Sequence, residues 1–275
     1  MRRLVVLPLL LAAAFGTAVL LQGRAGAADD DPLGYVVDRE ALDDPEVIQR
    51  GQELFAVRCV SCHDQDGSGI EGLGPDVRGQ GAAGGHYWLT SGRMPAEEGL
   101  PAQSERKESP FTDEEIEALV AYVASLGEGP EIPTVDPDAG DLARGGEIFR
   151  LNCAACHQAA LAGGALSYGR NAPTLEPVTA VQIAEALELG PGQMPVFDYF
   201  TEEEVDSLIA YVRDLQEDDS PGGFSLGRIG PIPEGFVAIV GGMGLLVLLT
   251  VWIGKRRLQE DDDDDPRQRP VAASQ

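Results

Sequence analysis

The stretches Cys59-Val60-Ser61-Cys62-His63 and Cys153-Ala154-Ala155-Cys156-His157 decide the fold, and they contain every cysteine of the 275-residue chain. Cysteines at this spacing lie on neighbouring turns of a helix, where each thiol can bond one vinyl group of a haem. The histidine that follows faces the iron as its proximal ligand. The two stretches therefore predict two covalent c-type haems. The predicted attachment residues are Cys59, Cys62, Cys153 and Cys156, and the predicted proximal ligands are His63 and His157.

Other uses of paired cysteines fit this pattern less well. A zinc ribbon has its two pairs roughly 15–20 residues apart, whereas the offset from Cys59 to Cys153 is 94 residues. A thioredoxin-like redox motif needs a βαβ context, and no strand pattern surrounds either pair. Disulfide bonds would leave the two adjacent histidines unexplained. Haem attachment, and with it electron transfer, is the function that the pattern favours.

The N-terminal segment has the layout of an export signal. Arg2-Arg3 precede the uncharged run 4–21, and the small residues Ala25-Gly26-Ala27 follow. Residues 1–27 are either a signal peptide that is cleaved or a retained membrane anchor, because the apolar run is long enough to span a bilayer. Both alternatives place the next two hundred residues outside the cytoplasmic membrane.

A second uncharged stretch, residues 235–254, predicts a transmembrane helix. Its length gives about 30 Å of helix, which is the thickness of the hydrocarbon core. Lys255-Arg256-Arg257 follow at once, and the positive-inside bias places residues 255–275 in the cytoplasm. We expect the acidic run Glu260 to Asp265 to form a disordered tail. The net charge of −26 argues against nucleic acid as a partner, because phosphates bind basic surfaces.

Between these membrane segments the chain repeats itself. Residues 50–55 match residues 144–149 ahead of the cysteine pairs, and the Gly-x-Met-Pro block at 92–95 recurs at 192–195. The second copy gains six residues before its methionine, and insertions of this kind lie in loops. We therefore predict two tandem helical domains and short connections. The predicted segments are residues 44–126 and 141–215 for the domains, 127–140 for a stiff Pro-rich linker, and 216–234 for the approach to the membrane.

Each copy is predicted to begin and end with a helix. Asp44 and Asp141 are expected N-caps of the first helices. The last helices open with capping boxes, Thr112 with Glu115 and Thr201 with Glu204. Gly51 and Gly145 would let the first helix cross the last one closely, with Phe55 and Phe149 as packing partners.

The distal ligands follow by elimination. The chain has three histidines, and two of them belong to the attachment motifs, so two bis-histidine haems are impossible. Of four methionines, Met1 is the initiator and Met243 lies in the membrane span, which leaves Met94 and Met194 at equivalent positions. Thioether ligation raises the reduction potential. The third histidine, His86, is expected to be an ordinary loop or helix-start residue.

Two further features are expected around the haems. Tyr87 and Trp88 are predicted to line the pocket of the first haem. A proline follows each attachment motif, at Pro75 and Pro173, and a carbonyl there is well placed to accept the proximal histidine's other N–H.

These residues resemble the dihaem cytochrome c subunit, or cytochrome cc, of the actinobacterial-type cytochrome bc1 complex, a menaquinol–cytochrome c reductase. The resemblance spans residues 48–257 and is carried by Ser91-Gly92-Arg93-Met94-Pro95, by Gly227-Arg228-Ile229-Gly230-Pro231 and by the single C-terminal anchor. It implies an all-α fold of two tandem class I cytochrome c domains plus a C-terminal transmembrane helix.

The resemblance also implies a function and partners. The first haem would take electrons from the Rieske iron–sulfur protein, and the second would pass them to the copper site of an aa3-type oxidase. Cytochrome b would be a further partner, and the subunit would serve electron transfer within a translocase without being catalytic on its own. It would lie in the cell membrane with its haem domains on the extracytoplasmic side.

Two other functions fit the sequence less well. A generic membrane-tethered dihaem carrier, or the dihaem subunit of a cbb3-type oxidase, would use the same haem motifs, but the cbb3 subunit carries its anchor before its haem domains. A dihaem peroxidase would need one iron with an open distal position, and the two matched methionines leave none.

Overall fold

The computed structural model describes residues 34–96, 105–217 and 231–263. The chain divides into two units, residues 1–217 and residues 218–275. The predicted export segment, residues 1–27, lies outside the described residues. The described part of the first unit contains both repeats and is mainly α-helical, as expected.

Four helices of each repeat lie within the described residues. In the first repeat they are α1 (Pro45–Arg58), α2 (Val60–His63), α3 (Gly81–Thr90) and α4 (Asp113–Ser125). In the second repeat they are α5 (Leu142–Asn152), α6 (Ala154–His157), α7 (Ala180–Leu189) and α8 (Glu202–Glu217). The same order of helices in both repeats agrees with the internal repeat of the sequence.

The predicted helix caps are present. Asp44 accepts a hydrogen bond from the amide of Glu46, and Asp141 accepts one from the amide of Arg144, so each first helix has its N-cap. The last helices carry the predicted capping boxes, in which a threonine side chain and a glutamate side chain each accept from the other's backbone N–H. These boxes are Thr112 with Glu115 and Thr201 with Glu204.

The first helix of each repeat crosses the last one at a glycine, as predicted. A Cβ atom on Gly51 would overlap the carbonyl oxygen of Ala118 on α4, and one on Gly145 would overlap that of Ser207 on α8. One turn further along, Phe55 packs on Tyr122 with ring centroids 5.2 Å apart. The second repeat copies this contact between Phe149 and Tyr211 at 5.6 Å.

Two helices, α3 and α7, were not predicted from the sequence. The first turns of α3 read Gly81-Ala82-Ala83-Gly84-Gly85, and glycine is a poor helix former, so tertiary packing stabilises this helix. Both helices are largely buried, and Val181 of α7 belongs to the hydrophobic core of the first repeat. The two repeats therefore pack against each other through α3 and α7.

The second repeat has a short hairpin in place of a simple loop. Strand β1 (Gly164–Ala165) pairs antiparallel with β2 (Asn171–Ala172). The distance from the motif histidine to the following proline is 12 residues in the first repeat and 16 in the second. Four of the six inserted residues therefore lie between His157 and Pro173, in the segment that contains this hairpin, whereas the sequence predicted a loop.

The second unit contains one long helix, α9 (Pro231–Asp263). Residues Gly235–Lys255 are long and apolar enough to cross a membrane, with a mean hydropathy of 2.5. The helix begins four residues before the predicted span, inside the segment expected to be a linker. It also continues through Asp263, so the prediction of a disordered acidic tail is wrong for residues 260–263. Helix propagation costs little once a long helix has formed, and this favours the extension.

The close contact between α1 and α4 at Gly51 predicts how one added methyl group changes the stability of the first repeat. Gly51→Ala should lower the free energy of unfolding of the first repeat by about 3 kcal/mol, because the methyl meets backbone that cannot move aside. Urea unfolding followed by circular dichroism measures this difference. Gly79→Ala is the matched control, since a Cβ there meets no described atom within 4 Å and should change stability little. Equal stability of the two variants would contradict the close crossing.

Candidate functional site

Each cysteine-histidine motif is positioned by the end of the first helix. The amide of Cys59 donates to the carbonyl of Phe55 at 2.8 Å, and the amide of Cys153 donates to that of Phe149 at the same distance. Because the aromatic residue is held at the glycine crossing, the motif that follows it is held too. Immediately after each motif a non-glycine residue, Asp64 in one repeat and Gln158 in the other, adopts a φ of 60°.

Both motif histidines have the same fixed orientation. Nδ1 of His63 lies 2.8 Å from the carbonyl oxygen of Pro75, and Nδ1 of His157 lies 2.9 Å from that of Pro173. A carbonyl only accepts, so each Nδ1 carries the proton and donates, and each Nε2 keeps its lone pair for a metal. These are the two proline carbonyls that the sequence analysis singled out.

A cavity of about 440 Å³ runs through both repeats. Every predicted attachment or ligand residue except Cys62 lines it, and Cys62 lies on α2 beside His63. The half-buried Met94 and Met194 are on its wall, together with Tyr87 and Trp88 as predicted. The structure thus brings the two motifs and the two methionines, which are far apart in the sequence, to the same cavity.

The cavity wall disfavours charge on the sulfur and nitrogen atoms of the motifs. Burial raises the pKa of the Cys59 and Cys153 thiols to about 11. Burial also lowers the pKa of His157, although its hydrogen bond to Pro173 acts in the opposite direction. A neutral imidazole is the form that binds a metal. Thiols with raised pKa values differ from the activated thiolates of redox enzymes, which agrees with rejecting a thioredoxin-like site.

Three arginines supply positive charge at this cavity. Arg93, Arg106 and Arg170 line it, and Arg93 stacks over the Tyr87 ring at 5.4 Å. Among the described lining residues the one carboxylate is Asp76, which Arg78 holds at 2.6 Å. Burial and the charge of Arg93 lower the pKa of Arg106 to about 10. Cationic groups on an apolar wall suit a ligand that is apolar with acidic substituents.

The donor set fits a covalent haem. Each motif offers two thiols for the vinyl groups and one imidazole nitrogen for the iron, and the arginines suit the propionates. All four cysteines are free of disulfide bonds. Within the described ranges, no three His, Cys, Asp or Glu side chains converge as they would around a protein-bound metal ion. No sequence pattern indicates Arg106 or Arg170, because neither belongs to the repeated blocks.

The expectation for His86 is wrong. It lies inside α3, not in a loop or at a helix start, and only 1% of its side chain is exposed. Its Nδ1 contacts Glu185 of α7, a residue that no sequence pattern singled out. A lone histidine in a glycine-rich segment gives no signal of a partner 99 residues away.

Two family models match the two repeats. Residues 48–127 match the model described as cytochrome c, and residues 140–212 match that described as cytochrome c oxidase, cbb3-type, subunit III. Together with the helical fold and the motif geometry, these matches define a protein of tandem cytochrome c domains. Such domains bind haem c covalently through the Cys-x-x-Cys-His motif.

Relatives from several bacteria narrow this class. The cytochrome bc1 complex cytochrome c subunit of Mycobacterium tuberculosis (strain ATCC 25618 / H37Rv) is 40% identical over 244 residues, which cover 85% of this chain and 86% of the relative. That of Mycobacterium leprae (strain TN) is 39% identical over 245 residues, covering 85% and 83%. The cbb3-type cytochrome c oxidase subunit CcoP of Azospirillum sp. (strain B510) is 28% identical over 188 residues, covering 60% and 61%.

The chain belongs to the family of cytochrome c subunits of the cytochrome bc1 complex. It is therefore an electron-transfer subunit that assembles with other subunits of that complex. The complex is a respiratory quinol–cytochrome c reductase, and the candidate span in α9 agrees with a location in the membrane.

Proposed function

We propose that the chain binds two covalent haem c groups and passes electrons from the Rieske iron–sulfur protein through them to an aa3-type oxidase. The observation that carries this proposal is the single cavity whose wall contains both motif histidines, both methionines and cysteines of both motifs. Haem-binding residues of both sites around one space are what a relay needs, because electrons then cross between sites without leaving the protein.

The first site would use Cys59 and Cys62 for attachment, with His63 and Met94 as axial ligands. The second would use the corresponding residues Cys153, Cys156, His157 and Met194. Bound haem supplies an iron that takes up and releases one electron at a time. The hydrogen bonds from Nδ1 to the proline carbonyls hold both imidazoles in one tautomer and increase their basicity. The methionine thioethers favour the reduced iron and so a high potential.

The direction of transfer is proposed from the family. In a bc1 complex the cytochrome c subunit would lie beside the cytochrome b and Rieske subunits, so electrons would enter at the first domain and leave at the second towards the oxidase. The cationic run Lys255-Arg256-Arg257 after the candidate span supports a cytoplasmic C-terminus. Both cytochrome c domains would then lie on the extracytoplasmic side of the cell membrane.

A subunit of a cbb3-type oxidase is the second candidate, because the second domain matches that family model. The match covers one domain only, whereas the bc1 relatives extend over 85% of the chain. The candidate span also follows the haem domains, whereas the cbb3 subunit has its anchor before them. A bc1 subunit is therefore the function that the observations support best.

The number of haems is tested by replacing one pair of cysteines. A pyridine haemochrome assay on the purified chain should give two c-type haems, and Cys153→Ala combined with Cys156→Ala should leave one, because the thioether bonds are lost. The matching pair Cys59→Ala and Cys62→Ala is the control and should also leave one haem. Metal analysis that found zinc in place of iron would contradict haem binding altogether.

The axial methionines are tested one at a time. Met94→Ala and Met194→Ala should each leave the haem attached but remove that haem's low-spin Met–Fe absorption and lower its reduction potential, since the thioether is lost. Spectra and potentiometric titration measure both effects. Met243→Ala in the candidate span is the matched control and should change neither quantity. A variant at 94 or 194 with an unchanged spectrum would show that its methionine is only a packing residue.

The role of the membrane tether is tested by truncation. Deleting residues from Gly235 onward should give a soluble dihaem protein with normal spectra, because every predicted haem ligand lies in the first unit. Quinol-dependent oxygen consumption in membranes should nevertheless collapse, since tethering keeps the carrier at a high local concentration beside its partners.

Co-purification of the full-length chain distinguishes the two candidate complexes. The proposed function requires cytochrome b and a Rieske protein in the purified complex, and a cbb3-type catalytic subunit in their place would support the second candidate.

The truncation experiment also has a contradicting outcome. Full quinol oxidase activity in membranes that contain only the truncated form would show that the tether is not needed, and would favour a carrier that diffuses freely.

A further inference from the structure

A buried pair of ionisable side chains joins the two cytochrome c domains. His86 on α3 and Glu185 on α7 expose 1% and 0% of their side chains. Nδ1 of His86 lies 2.6 Å from Oε1 of Glu185, and Nε2 lies 2.8 Å from the carbonyl oxygen of Tyr35. Both ring nitrogens are engaged, so the histidine ring cannot rotate without losing a buried hydrogen bond.

The pair lies on two helices that both contribute residues to the wall of the shared cavity. Tyr87 and Trp88, which follow His86 on α3, line the shared cavity. Gln182 and Ala186, on the helix that carries Glu185, line it as well. A displacement of α3 relative to α7 would therefore change the distance between the two haem sites.

Other contacts make this interface close and polar. Gln182 donates to the hydroxyl of Thr90 at 3.0 Å, and that hydroxyl donates to the carbonyl of His86 at 2.7 Å. Arg106 of the first domain donates to the side-chain oxygen of Gln182. The His86–Glu185 pair is thus linked, through the backbone carbonyl of His86, to further hydrogen bonds that cross the domain boundary.

The geometry defines where the protons are. The carbonyl of Tyr35 only accepts, so Nε2 of His86 carries a proton. Nδ1 and Oε1 share a second proton, because a ring lone pair and a carboxylate oxygen would repel at 2.6 Å. The other oxygen of Glu185, Oε2, is buried and accepts no hydrogen bond from any described residue. A carboxylic acid tolerates this better than a carboxylate, which places the shared proton on Glu185.

We propose that the protonated His86–Glu185 pair is an uncharged pin that fixes α3 against α7 and thereby sets the rate of electron transfer between the two haem sites. The rate of electron transfer falls steeply with distance, so a small displacement of the helices lowers it. Neither residue lines the cavity, so both act as positioning residues. The proposal rests on the proposed two-haem function.

The hydrogen bond between His86 and Glu185 should be lost as the pH rises. Burial raises the pKa of Glu185 to about 7, so the shared proton is present below that pH and is lost as the pH rises through it. A buried carboxylate then faces the lone pair of Nδ1, and the contact between α3 and α7 weakens.

Other ionisable groups face the pair from every neighbouring element. Burial raises the pKa of Tyr35 to about 12 and lowers that of Arg106 to about 10, so neither titrates between about pH 6 and about pH 9. Burial raises the pKa of Tyr87 and also that of Glu188, an exposed carboxyl on α7 that serves below as a control. Further charged groups nearby are Arg93, which lies beside Tyr87, and three carboxyl groups of α4 that lie near Tyr35, namely Glu117, Asp113 and Glu114. The charge of Glu188 also acts on Glu185 and raises its pKa.

The test uses the full chain in detergent with variants Glu185→Gln and Glu185→Ala and the control Glu188→Gln. A photosensitiser reduces one haem in a flash, and absorbance follows the redistribution of the electron between the haems. Hydrogen exchange of the α3 and α7 amides is measured on the same samples at about pH 6 and about pH 9. Haem content and spectra are recorded for every variant.

The glutamine variant is expected to keep the wild-type rate at the lower pH and not to slow at the higher one, because its amide donates to Nδ1 and cannot ionise. The wild type and Glu188→Gln should slow severalfold at the higher pH, with lower protection of the α3 and α7 amides once the intrinsic pH dependence of exchange is divided out. Glu185→Ala should be slow at both. Haem propionates that titrate would change the rate in the wild type and in the glutamine variant alike. The difference between the pH dependences of these two rates therefore measures the contribution of the His86–Glu185 pair.

Three results would overturn the proposal. They are a wild-type rate and amide protection factors that do not depend on pH, an alanine variant with the wild-type rate, and a glutamine variant as slow as the alanine one. If the alanine variant does not fold, the different pH dependence of the rate in the wild type and in the glutamine variant still tests the proposal. A chain with a single haem would contradict the proposed function instead, and exchange in α3 and α7 would still test the pin.

Discussion

The close crossing of the first and last helix in each domain is the contact on which the rest depends. At Gly51 and Gly145 no side chain separates the helix from the backbone of its partner. The aromatic residue one turn later is thereby pressed against a tyrosine of the last helix, and the cysteine that follows is held by a hydrogen bond to that aromatic residue's carbonyl. The position of each proposed haem follows from a glycine eight residues earlier in the chain.

Hydrogen bonds to polar groups of the protein fix the orientation of the three histidine rings. Each motif histidine donates Nδ1–H to a proline carbonyl, which leaves only Nε2 for a metal. The third histidine uses both ring nitrogens within the protein, so it has no lone pair left for iron. Arginines on the cavity wall supply charge that an apolar pocket would otherwise lack. Whether a histidine of this chain can bind iron therefore depends on which of its ring nitrogens already form hydrogen bonds within the protein.

The two domains are alike in their helices and differ in their connections. The hairpin β1–β2 lengthens the path from His157 to Pro173, yet the hydrogen bond between these residues has nearly the length of its counterpart in the first domain. Variation is thus confined to segments that do not position a ligand. Domain pairing, in contrast, uses α3 and α7, whose contacts join residues about a hundred positions apart.

The sequence by itself determined what local patterns encode: the attachment motifs, the helix caps, the glycine crossings and the repeat, because each depends on residues a few positions apart or on a copy of itself. It also predicted the apolar span, but not the helix that continues into the acidic residues 260–263. Only the tertiary structure decided the interface, since the Gly-rich segment of α3 has a low helix propensity and is stabilised by burial. The partnership of His86 with Glu185 was decided there too, because it exists only once two domains have packed.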